Sequence, residues 1–180
     1  MKSLVMSVLG VVLMAGLLSS TSTPTSIYGI VNDYTAVTAI NTQSVDVADA
    51  SAFSVGDRAL LIQMKGAQIS VSDDSTYGDV SDFGNAGNYE FHTVTGVSGN
   101  TITFDFFVCG DYTVADLVQL VRIPVYGDEI ITGPLTAAAW NGSTGGILAI
   151  EATGTLTMSD DIDGQTVGFR GGELNGRERV

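Results

Sequence analysis

A single cysteine, Cys109, rules out an internal disulfide, so packing alone must hold the fold together. It ends the run Phe104-Asp105-Phe106-Phe107-Val108-Cys109, where the apolar neighbours predict a buried small side chain; a reactive or intermolecular thiol is the other reading. A single histidine, His92, cannot build a His-rich metal site, and a serine triad would need it beside an activated serine. No G-x-S-x-G elbow occurs, because Gly142-Ser143-Thr144-Gly145 has the wrong spacing. The phosphate-binding patterns G-x-x-x-x-G-K and G-x-G-x-x-G are missing as well. Basic side chains are scarce: seven Lys and Arg face 20 Asp and Glu, for a net charge of −13. Such a surface repels phosphate backbones, so no nucleic-acid partner is expected. It suits a solvated extracellular protein able to collect divalent cations.

Long apolar runs are absent beyond the first 18 residues. Met1-Lys2-Ser3 gives a short basic start, Leu4 to Leu18 is almost wholly apolar, and small hydroxyl residues broken by Pro24 run from Ser19 to Ser26. That order is a secretory leader. Its apolar core of about fifteen residues falls short of the roughly 20 a spanning helix needs. Residues 1–26 are therefore expected to be a removable signal peptide, with an uncleaved anchor as the alternative. No cysteine follows the core, which argues against a lipoprotein anchor. The expected location is secreted or at the outer cell surface, with no membrane span once the leader is gone.

Helical periodicity is lacking too. Short runs rich in Val, Ile, Thr and aromatics alternate with Gly, Asn, Asp and Ser, the pattern of strands and turns. Strands are expected at Tyr34 to Ile40, around Val45 and Val47, and at Arg58 to Met64. Tyr89 to Val97 and Thr101 to Phe107 flank a Ser98-Gly99-Asn100 turn, and Leu117 to Ile123 ends the series before Pro124. These predict an all-β fold, with a small β-sandwich or barrel over 27–126. In the connection 49–57, Phe53 and Val55 are expected to plug the core while Gly56 permits the turn. Gln68 to Asn88, rich in Asp and Gly, reads as an exposed excursion.

Beyond Tyr126 an internal repeat emerges. Thr132-Gly133-Pro134-Leu135-Thr136 recurs as Thr153-Gly154-Thr155-Leu156-Thr157, 21 positions on, and the two copies continue to Gly145-Gly146 and Gly171-Gly172. A period near 20 with one or two strands per unit predicts the first rungs of a β-solenoid over 127–180, cut short at Val180; extra sandwich strands are the alternative.

Candidate sites are few. His92 shares a strand face with Glu90 and Val94 and is expected to find a solvent or backbone partner rather than a catalytic one. Asp160, Asp161 and Asp163 stand before Gly164 as the carboxylates of an oxygen-ligand loop do, which makes calcium the one candidate metal; the EF-hand's distal glutamate is missing, and a solvated turn is the other reading. The Asp73 to Asp82 loop is a looser version of the same pattern. Trp140, at a turn, either seals a solenoid edge or stacks on sugar. Asp74-Ser75-Thr76 fits a short bacterial O-glycosylation pattern of low specificity. No carboxylate pair is singled out for glycoside chemistry.

Val55-Gly56-Asp57 followed by Leu60-Leu61-Ile62-Gln63-Met64-Lys65-Gly66-Ala67 resembles the opening region of large secreted surface proteins of the Bacteroidota, linked to gliding motility and type IX secretion. The resemblance continues through Gly84-Asn85-Ala86-Gly87-Asn88-Tyr89-Glu90 and residues 118–126, then Trp140-Asn141-Gly142, Thr144-Gly145-Gly146 and Gly168-Phe169-Arg170-Gly171-Gly172. It implies a segment of a long multidomain adhesin or surface filament and brings no catalytic residues and no cofactor. The expected partners are further domains of the same longer chain and a surface polysaccharide or another cell surface. The function expected is structural or adhesive and non-catalytic; the alternative is part of a β-helical polysaccharide lyase or hydrolase whose catalytic region lies downstream.

Overall fold

The strand run Arg-Ala-Leu-Leu-Ile-Gln at 58–63 does not alternate, and the reason is that both of its faces are covered. In the computed structural model, which describes residues 26–169, this strand lies between two others. The strands in chain order are β1 (Ser26–Ile30), β2 (Asp33–Ile40), β3 (Ser44–Val47), β4 (Arg58–Gln63), β5 (Gln68–Ile69), β6 (Val80–Asp82) and β7 (Tyr89–Ser98). They continue with β8 (Thr101–Phe104), β9 (Val118–Ile123), β10 (Val125–Tyr126), β11 (Glu129–Thr136), β12 (Glu151–Ala152) and β13 (Leu156–Met158). The only helical element among the described residues is a 3-10 turn at Val114–Asp116, so none is long and apolar enough to cross a membrane. The expected leader lies outside the described residues except for Ser26.

Six strands close into an antiparallel barrel in the order β2-β3-β8-β7-β4-β9. They are the six expected from alternation, and closure leaves no edge among them. Inward-facing Val37, Val45, Leu61, Val94, Ile102, Phe104 and Leu120 fill the interior, so the barrel is a packed core and not a pore. Phe53 plugs one end as expected. Val55 does not: it is 67% exposed, because hydrogen bonds between Ser54 and Asp57 make a tight turn with Val55 at its tip. The 68–88 excursion carries the small exposed hairpin β5–β6.

Strand β8 stops at Phe104, short of the expected Phe107. The Asp105 carboxylate accepts the Thr93 N–H at 3.0 Å, and the chain then turns across the end of the barrel. That excursion leaves Cys109 exposed, correcting the expectation that its apolar neighbours would bury it.

A second architecture begins on either side of the barrel. β1 pairs in parallel with β11, which pairs in parallel with β13; β10 and β12 form another parallel pair. Parallel strands from successive turns of the chain are the rungs of a solenoid. Ile27, Ile131 and Leu135 are buried between them, with Val31, Tyr126, Leu148, Ile150 and Leu156 packed around. The barrel is thus an excursion between β1 and β10. β1, which lies within the 27–126 range except for Ser26, belongs to the rung sheet and not to the barrel.

The rung period is longer than the 21 residues read from sequence. Thr155 donates its N–H to Asp128 Oδ1, 27 residues earlier, and Thr153 bonds Tyr126 at the same spacing. Leu135 pairs with Ile162, while Leu156, its supposed counterpart, pairs with Glu129. Gly- and Thr-rich strings matched by composition, whereas the true spacing is set by the length of chain that encircles the buried residues. Gly171-Gly172 lies outside the described residues.

Candidate functional site

The site with the most built geometry is the seam where the barrel meets the rungs. Strands β4 and β9 turn Leu60, Val121 and Ile123 outward, and Ile147 and Ala149 of the second turn pack onto them beside Tyr34 and Ile62. Residues 145–150 belong to no strand, so their backbone groups need other partners. Barrel side chains supply them.

Two carboxamides do most of this. Asn32, 4% exposed, accepts the Ala149 N–H at 3.0 Å and donates to the Ala149 carbonyl at 2.6 Å and the Arg122 carbonyl at 2.9 Å. Gln119, fully buried, accepts the Gly145 N–H at 2.9 Å and donates to the Gly145 carbonyl at 3.1 Å. A carboxamide carries one acceptor and one donor group side by side, as a peptide does, so each completes a residue the way a neighbouring strand would. Between them, the Tyr34 hydroxyl donates to the Ile147 carbonyl at 2.6 Å. Burial pushes this hydroxyl above its ordinary pKa, which keeps it a donor. Ion pairs Arg58–Glu151 and Arg122–Asp33 flank the seam.

Gly145 makes the close approach possible. Its φ is +98°, and a Cβ there would stand 2.8 Å from the Ala139 carbonyl oxygen and 2.9 Å from that of Ala138. Trp140, 5% exposed, packs on Phe169 at 5.2 Å, which places it as a seal against the following turn of chain and not as an exposed sugar platform.

None of these amides was singled out from sequence. The available signal was a Gln within the apolar run Val118-Gln119-Leu120-Val121, since a polar residue in a strand covered on both faces must be fully bonded.

Asp160, Asp161 and Asp163 lie in an exposed loop after β13. Asp160 Oδ1 accepts the Asp161 N–H and Asp163 Oδ1 the Gln165 N–H, each within its own turn. Among the described residues no three His, Cys, Asp or Glu side chains converge where a metal ion would sit.

His92 lies inside the barrel with no exposure, and neither ring nitrogen has a hydrogen-bond partner. The expectation of a solvent or backbone partner is corrected: alternation placed its face correctly, but that face is the closed interior. An open cavity of about 470 Å³ is lined by Met64, Lys65, Ile69, Asp116 and Phe169, with the Lys65 ammonium over the Phe169 ring at 5.9 Å. It gathers no nucleophile with a base.

No known protein family matches the sequence, and neither does any curated protein. Three solved phage tailspikes match parts of it. The gp61 tailspike of Pseudomonas phage phi297 is 15% identical over 60% of this chain and 17% of its own, with a TM-score of 0.38. The gp54 tailspike of Acinetobacter baumannii bacteriophage AP22, solved in complex with A. baumannii capsular saccharide, is 17% identical over 74% of this chain and 25% of its own, at 0.36. The gp49 tailspike of Pseudomonas phage LKA1 is 19% identical over 66% of this chain and 21% of its own, at 0.33. The chain thus spans a quarter or less of each of these proteins.

Proposed function

We propose that this chain is the barrel-bearing segment of an exported β-solenoid protein, with a structural or adhesive role at the cell surface. The observation that carries the reading is the seam: Asn32, Tyr34 and Gln119 bond the backbone of 145–149 to the barrel wall and so fix the solenoid's direction relative to a rigid body. The partners are further rungs of the same longer chain and a surface polysaccharide. Support for further rungs comes from β13, which stands last in its parallel sheet among the described residues, with Met158 and the nearby Ile162 half-exposed. Export rests on the leader, and the link to gliding motility and type IX secretion rests on the residue blocks that resemble Bacteroidota surface proteins.

Adhesion and catalysis separate in one experiment. The secreted protein is run through gels containing neutral or acidic bacterial polysaccharides, and the same mixtures are assayed for new reducing ends. Retardation without new ends is the expected result. Release of sugar fragments would favour the lyase or hydrolase alternative and overturn the non-catalytic reading.

A further inference from the structure

His92 lies on the inward side of β7 opposite Ala59 of β4, with its ring stacked on Phe104 at 4.3 Å and leaning on Phe106 at 4.6 Å. Its Nε2 is 3.3 Å from Glu90 Oε2, and its Nδ1 is 3.9 Å from Asp105 Oδ1, yet neither contact is a hydrogen bond. A sealed ring with two idle polar atoms and a carboxylate beside each calls for an explanation.

Those two carboxylates also fasten the segment 105–113 across the barrel end. Glu90 accepts the Cys109 N–H at 3.1 Å through Oε2 and the Gly110 N–H at 3.2 Å through Oε1. Asp105 Oδ1 accepts the Thr93 N–H at 3.0 Å. Val108 and Tyr112 of the segment pack on the barrel core, and the Thr113 N–H reaches Gln63 Oε1 at 2.7 Å. The Arg58 charge from β4 also acts on the ring, and the buried Tyr112 hydroxyl lies beside Glu90.

We propose that His92 is a proton-operated release for the 105–113 segment: when the ring takes up a second proton, Glu90 and Asp105 are drawn onto its two N–H groups and let go of Cys109, Gly110 and Thr93. The imidazolium has a donor at each end, and these carboxylates lie at those ends. The imidazolium sets a full positive charge beside each carboxylate, whereas a backbone N–H offers the same oxygens only a partial one, so the ring competes for them once it is protonated. Burial holds the ring's pKa below its ordinary value, outweighing the attraction of Glu90 and Asp105, and the Arg58 charge pushes the same way. The segment therefore stays fastened at neutral pH and opens only in acid, below about 6.5.

Amide hydrogen exchange of the intact protein tests this at neutral pH and in mild acid, with rates corrected for the intrinsic pH dependence of exchange. Protection across 105–113 should fall at least about tenfold in acid, while Val37 and Val47 in the barrel wall stay protected. In His92→Phe, which keeps the stacking and removes the proton site, the pH-dependent loss should vanish. Equal protection at the two pH values, or the same loss in His92→Phe, would overturn the proposal. Should that variant not fold, an NMR titration of the unaltered protein decides instead. The His92 Cε1 proton and the Cys109 amide should shift with one shared midpoint; separate midpoints would refute the coupling.

Discussion

The Asn32 carboxamide brackets the backbone of Ala149, 117 residues further along the chain, bonding both its N–H and its carbonyl. One side chain thereby does the work of a strand neighbour. Asn32→Ala should remove three hydrogen bonds from partly buried backbone groups and cost about 1–3 kcal/mol, measured by urea unfolding. Asn32→Asp keeps the acceptor but sets a carboxylate against two carbonyl oxygens, and it should be at least as damaging. A loss below about 0.5 kcal/mol in Asn32→Ala would mean that the seam contributes little.

Gly145 and Gly164 make a matched pair for the backbone. Gly145→Ala forces a Cβ against two carbonyl oxygens at a left-handed φ, and about 2–4 kcal/mol of destabilisation should follow. A Cβ at Gly164 meets nothing within 4 Å and needs no left-handed φ, so Gly164→Ala should stay within about 0.5 kcal/mol. Thermal melts of the two variants side by side check the contrast.

Stability should depend on pH through His92. Burial lowers its folded pKa, so the unfolded chain takes up the proton first as pH falls. The contribution is complete above about 6.5 and drains away as pH drops from there toward the folded value. The melting temperature of the native protein should fall across that window, and His92→Phe should flatten the fall. A flat profile in the native protein would show that the ring's burial has no thermodynamic weight.

Calcium should have little to act on. The Asp160 and Asp163 carboxylates each accept a backbone N–H within their own turns, and with Asp161 they form no converging set. Adding about 5 mM calcium, enough for weak extracellular sites, should leave the melting temperature unchanged, as should replacing the three with Asn. A calcium-dependent rise that the triple variant abolishes would restore the ligand-loop reading.

The barrel strands were legible because alternation and turn residues are local signals, and Val45, Val47, Ile102 and Phe104 obey them. The rung register was not legible, since Thr and Gly strings recur by composition and only the wrapped path shows that Leu135 meets Ile162. Cys109 misled because its apolar neighbours continue past the point where Asp105 ends the strand. The seam was invisible for a different reason. Asn32, Tyr34 and Gln119 lie far in sequence from the carbonyls and amides they bond, and no local pattern marks such a partner.

The insertion of the barrel between β1 and β10 also sets an order of events in folding. Ser26 pairs with Ile130, and closing that contact in an open chain of about a hundred residues is entropically costly. Once the barrel has formed, Asp33 and Arg122 lie opposite each other on adjacent strands, so the two exits of the insertion emerge side by side. The open stretch then shrinks to about fifteen residues, and the closure cost falls by roughly 1.7 kcal/mol. Barrel closure should therefore precede rung pairing, and pulse-labelled refolding should protect Val45 and Ile102 before Ile27 and Ile131. Simultaneous protection of both sets would show that the two cores nucleate together.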